Sequence, residues 1–84
     1  MPSQTVKSGN SYNFNPIPNE RGEEVTVENS GNSTTKFSFV YDSGQKDDSL
    51  EGSGSSQNYP VSIWGDTKKL TFNNNGPCDL LVSW

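Results

Sequence analysis

The chain contains no histidine and no alanine, one cysteine at position 78, and no apolar stretch near the ~20 residues that cross a bilayer. Without histidine, the usual general base near neutral pH is missing, and so is the common partner of a serine or cysteine nucleophile. Ten carboxylates could supply an acid and a base, but no motif places a pair of them. The chain therefore reads as non-enzymatic. A single cysteine excludes an intramolecular disulfide, and Cys78 has no evident base beside it, so it reads as a quiet, partly buried thiol. Only six residues are Lys or Arg, and Lys68-Lys69 is their one adjacent pair, which leaves no basic stripe for nucleic-acid phosphates or an anionic membrane surface. The opening residues Met1-Pro2-Ser3-Gln4-Thr5 carry neither the basic end nor the apolar run of a signal peptide. The chain as given reads as soluble, and its compartment is left open.

What is present points to one small domain spanning residues 1–84. Leu, Ile, Val and Phe make up sixteen of the 84 residues, a share close to where chains cease to fold, while the 11% aromatic content and a net charge of only -4 favour folding. Each fully buried large side chain returns about 1.5–3 kcal/mol, against roughly 1–2 kcal/mol of backbone entropy per ordered residue. So thin a core, with no disulfide, leads to an expectation of self-association into a homo-oligomer.

An offset of 45 residues lays the chain on itself without gaps. Residues 8–39 fall on 53–84 with eight identities: Ser8/Ser53, Gly9/Gly54, Ser11/Ser56, Asn13/Asn58, Thr26/Thr71, Asn29/Asn74, Gly31/Gly76 and Ser38/Ser83. Other aligned positions stay chemically alike, among them Phe14/Tyr59, Val25/Leu70, Val27/Phe72, Phe37/Val82 and Phe39/Trp84. This is the signature of an internal repeat. Residues 42–52, rich in Gly, Ser and Asp, read as the connector between the two copies.

Three segments per copy alternate apolar and polar residues with a period of two, the pattern of half-buried strands. They lie at 12–14, 25–28 and 35–41, and again at 57–59, 70–73 and 80–84, with a short extra strand near Thr5-Val6-Lys7. The Asn- and Gly-rich stretches 29–33 and 74–78 read as hairpin loops, and 15–22 and 60–67 as longer arches. The expected fold is all-β: a small two-repeat antiparallel β-sandwich or Greek-key barrel with pseudo-twofold symmetry, each three-stranded half laying its apolar face on the other. The expected core is Tyr12, Phe14, Val25, Val27, Phe37, Phe39, Tyr41, Tyr59, Leu70, Phe72, Leu80, Val82 and Trp84.

Alternation turns Ser11, Asn13, Thr26 and Ser38 outward, with Ser56, Asn58, Thr71 and Ser83 at the matching positions. Identity on an exterior, where polarity alone would suffice, suggests patches of hydroxyl and amide groups suited to sugars. The competing reading is that Ser, Asn and Thr simply fill every surface of this chain. Trp64, in Ile63-Trp64-Gly65-Asp66, has no aromatic counterpart in the first copy and reads as a ligand anchor or as a lid on the core edge. The sequence thus supports a carbohydrate-binding, lectin-like module with candidate ligand residues Asn13, Asn58, Tyr59, Trp64 and Asp66, no cofactor and no metal. The alternative is a structural subunit of a particle, appendage or oligomeric pore. Asp42, Asp47, Asp48 and Glu51 could offer oxygens to a hard cation, but their spacing fits no calcium loop, and a solvated connector explains them as well.

Overall fold

A computed structural model describes residues 2–18 and 20–84. Asn19, in the first arch, lies outside the described residues. The protein is all-β. Eight strands run β1 Ser3–Val6, β2 Ser11–Asn13, β3 Glu24–Asn29, β4 Thr35–Tyr41, β5 Gly44–Leu50, β6 Ser55–Pro60, β7 Leu70–Asn74 and β8 Leu80–Ser83, with one 3-10 turn at Val61–Ile63. They form two four-stranded antiparallel sheets, ordered β1-β8-β3-β6 and β2-β7-β4-β5.

Alternation decides which residues meet between the sheets. Val25 and Val27 of β3 and Leu80 and Val82 of β8 point inward from the first sheet, and Phe37, Phe39, Leu70 and Phe72 from the second, all of them buried. Tyr59 of β6 bridges the layers, its ring centroid 6.0 Å from Phe37 and 5.1 Å from Phe39. The arrangement is sandwich-like. Val6, Phe14, Leu50, Val61 and Trp64 complete the core, whereas Tyr12, Tyr41 and Trp84, expected inside, are half-buried at its margin.

Three sequence expectations need correction. The halves do not form separate three-stranded layers, because each sheet takes strands from both. The loops at 29–33 and 74–78 are not hairpins; they carry the chain from one sheet to the other. Only β4 and β5 are consecutive strands that pair directly. Finally, the stretch read as a connector holds β5, an edge strand whose inward apolar contribution is Leu50.

The crossing loops are held by two buried asparagines. Asn29 Nδ2 donates to the carbonyls of Ser33 (2.9 Å) and Leu50 (3.0 Å), and its Oδ1 accepts from the Gly31 amide (3.0 Å). Asn74 Nδ2 donates to the carbonyls of Cys78 (2.8 Å) and Val6 (2.8 Å), and its Oδ1 accepts from the Gly76 amide (2.8 Å). Each side chain ties its own loop to a neighbouring strand end. Both asparagines are buried without a stranded polar atom, the condition for tolerating an amide inside.

Candidate functional site

Of the identities expected to face outward, the threonines and asparagines pair with one another, whereas Ser38 is buried in β4 between β5 and β7. Thr26 of β3 stands opposite Asn58 of β6, and its Oγ1 donates to Asn58 Oδ1 at 2.8 Å. Thr71 of β7 stands opposite Asn13 of β2, and its Oγ1 donates to Asn13 Oδ1 at 2.7 Å. Cross-strand pairs of this kind stabilise a sheet. These positions therefore have a structural role, beside the sugar patch and the uniformly polar surface between which the sequence leaves them. Each pair still keeps its amide NH2 group for an outside partner.

Each pair borders a depression. On the first sheet, Thr26 and Asn58 line one of about 490 Å³ with Gly22, Glu23, Glu24 and Trp84. On the second, Asn13 and Thr71 line one of about 590 Å³ with Asn15, Ile17, Lys68 and Lys69. Local bonds pin the loops that carry the charges. Glu23 Oε1 accepts from the Glu20 amide, and the Glu23 amide donates to the Glu20 carbonyl, both at 3.0 Å. Thr67 Oγ1 donates to the Lys69 carbonyl at 2.7 Å, and Asp42 Oδ2 accepts from the Lys68 amide at 2.8 Å.

The remaining sequence candidates are scattered. Trp64 is 3% exposed, stacked on Phe39 with centroids 5.5 Å apart, and its Nε1 donates to the Pro18 carbonyl at 2.9 Å. It closes the core as a lid and shows no ring face to a ligand. Tyr59 is equally buried, and its hydroxyl donates to Asp48 Oδ2 at 2.6 Å across the edge between β5 and β6. Burial first, then the Asp48 carboxylate, pushes the Tyr59 hydroxyl above its ordinary value of 10.0. The same bond holds the Asp48 carboxyl below its ordinary 3.8, with desolvation opposing. Asp66 lies in a different depression, of about 340 Å³, with Arg21, Ser62 and residues 22–24, and so shares only that short segment with the Asn58 depression.

Trp84 is the aromatic that sequence reasoning misplaced. Its match to Phe39 suggested a core position, but it lies one residue beyond β8 and packs at the margin on Tyr12 and Phe14, at centroid distances of 5.5 and 5.0 Å. Half-buried there, it offers part of an indole beside Asn58. The acidic residues of 42–51 are largely occupied in hydrogen bonding. Asp42 caps the Lys68 amide, Asp47 accepts from Gln45, and Asp48 holds Tyr59. Among the described residues, no three Asp, Glu or Cys side chains gather as a metal cluster. Cys78, half-buried, sits with its Sγ 3.6 Å from the Ser33 carbonyl; hydrogen bonding with Thr35 lowers the thiol below its ordinary value.

The chain matches no family model, no curated protein and no solved structure.

Proposed function

We propose that this chain is a non-enzymatic carbohydrate-binding module whose ligand site is the depression holding Thr26, Asn58, Glu23, Glu24 and Trp84. One observation carries the reading: a part-exposed indole shares a walled depression with an amide, a hydroxyl and two carboxylates. A pyranose presents that chemistry in reverse, with a C–H face to stack on an aromatic ring and hydroxyls that both donate and accept. Trp84 replaces Trp64 and Tyr59 as the stacking group, and Asn58 keeps its assigned role. A single shallow site of this kind binds in the millimolar range, roughly -4 kcal/mol. Association of copies would multiply it. Such association has to be polar, since Leu81, 36% exposed, is the only exposed large apolar side chain among the described residues.

The proposal extends to how the fold is built, as one motif used twice. Adding 45 takes β2, β3 and β4 onto β6, β7 and β8, and the order β6-β3-β8-β1 then becomes β2-β7-β4-β5. The register Thr26↔Asn58 becomes Thr71↔Asn13, and the Asn29 bonds to Ser33 and Gly31 become the Asn74 bonds to Cys78 and Gly76, while the third, to Leu50, has its counterpart one residue away at Val6. Against this, Phe72 pairs with Phe39, where strict equivalence to Val27↔Val82 would select Phe37. That slip is two residues, an even step that keeps the side chains on their face, whereas the edge pair Val6↔Leu80 has Leu50↔Thr35 as its counterpart, one residue off strict equivalence.

The test is a glycan array followed by titration of the best ligand against Asn58→Ala. Saturable binding that weakens about tenfold in the variant, the scale of one lost hydrogen bond, supports the site. An array with no binder contradicts it. One observation favours the second reading, an assembly subunit: edge strand β1 carries no charge along Ser3–Val6, and an uncharged edge can accept a further strand.

A further inference from the structure

Glu23 and Glu24 correspond to Lys68 and Lys69 at the offset of 45, as Thr26 and Asn58 do to Thr71 and Asn13. The two depressions therefore have the same hydrogen-bonding pair and opposite charge at their mouths. We infer that the depression on the second sheet is a separate site for an anionic saccharide, one carrying a carboxylate or sulfate ester. Lys68 and Lys69 would pair with the anion, and the free amide groups of Asn13 and Asn15 would bind neighbouring hydroxyls.

Three features favour this occupant over a neutral sugar. Lys68 and Lys69 are both exposed, so their long side chains can reach an anion in the depression. The loop bearing them is fixed by Thr67 and Asp42, so their placement is not left to a free chain. The aromatic in this depression, Phe14, is buried and leaves no ring for a pyranose to stack on. Ion pairing has to supply what stacking supplies at Trp84. Ile17, half-buried on the wall, leaves room for the apolar edge of a sugar ring.

The inference rests on the carbohydrate reading of the first depression, but it fails separately. The experiment is an amide-resolved NMR titration of the whole chain at low salt with glucuronate, methyl glucoside and inorganic sulfate, repeated on Lys68→Glu/Lys69→Glu and on Lys68→Gln/Lys69→Gln. Glucuronate is expected to shift the amides of Asn13, Lys69 and Thr71. Its affinity should fall about tenfold in the Glu variant, less in the Gln variant, and with added salt. Methyl glucoside should leave those amides unmoved. Glucuronate shifts confined to Asn58 and Trp84, or undiminished in both variants, would overturn the inference. Sulfate binding as tightly as glucuronate would also overturn it, reducing the site to a simple anion site. A glycan array on which no neutral saccharide binds, while glucuronate behaves as expected, would sink the Trp84 site and leave this one standing.

Discussion

Asn29 and Asn74 are the side chains on which the crossing loops depend. Each holds three backbone groups, so alanine at either position strands a buried donor and acceptors, at about 1–3 kcal/mol for an unmet partner. Urea unfolding of Asn29→Ala and Asn74→Ala should show midpoints lowered by similar amounts with unchanged slopes. A large loss at one position and none at the other would break their equivalence. The Tyr59–Asp48 bond makes a pH statement. The Tyr59 hydroxyl is raised in the fold, so its contribution is whole below pH 10.0 and drains away as pH climbs beyond that. Asp48 is lowered, so its share is present above pH 3.8 and is lost as pH falls through its folded value. Tyr59→Phe should flatten both limbs of a stability-against-pH curve and cost about 1 kcal/mol at neutral pH. Unaltered limbs would mean the bond is absent in solution.

Strand β5 shows where sequence reading loses sight of an element. Its seven residues are polar except Leu50, and the rest are exposed, so no alternation marks it. An edge strand pairs on one side only, and charges along its length keep that edge from recruiting another strand. Composition therefore suggested a flexible connector. Hydrogen exchange separates the two descriptions: alternate amides of Gly44–Leu50 should be protected through their ladder with β4, whereas a free linker exchanges throughout. Leu50→Ala should destabilise by about 2–3 kcal/mol, the low end for a leucine truncation because the site lies at the core margin. By contrast, β3, β7 and β8 are readable because each buries every second residue, and β4 follows the same alternation except that Ser38 on its outer face is also buried. Alternation reports which face is wet but not which strand lies alongside. The crossings at 29–33 and 74–78 therefore passed for hairpins, because asparagine and glycine favour both, and the inward turn of Asn29 and Asn74 has no separate mark in composition.

Around the thin apolar core, every buried side-chain polar atom of the described residues has a hydrogen-bond partner, so the core carries no desolvation cost from a stranded group. The radius of gyration, 11.8 Å, is that of a compact chain of this length, about 12 Å by general scaling. The self-match at an offset of 45 is legible in the sequence, but what its identical residues do is not. Gly9 and Gly54 each occupy a left-handed turn, at φ 82° and 88°, and the Asn–Thr pairs serve their sheets. The proposed carbohydrate reading places function where the two aligned segments differ: Trp84 against Phe39, and Glu23-Glu24 against Lys68-Lys69. Tryptophan emission tests this most directly, because Trp64 and Trp84 are the only two tryptophans. With a saccharide selected on the array, Trp64→Phe should retain a saturable change in emission and Trp84→Phe should lose both the change and most of the affinity. A signal that survives in Trp84→Phe and vanishes in Trp64→Phe would contradict the account.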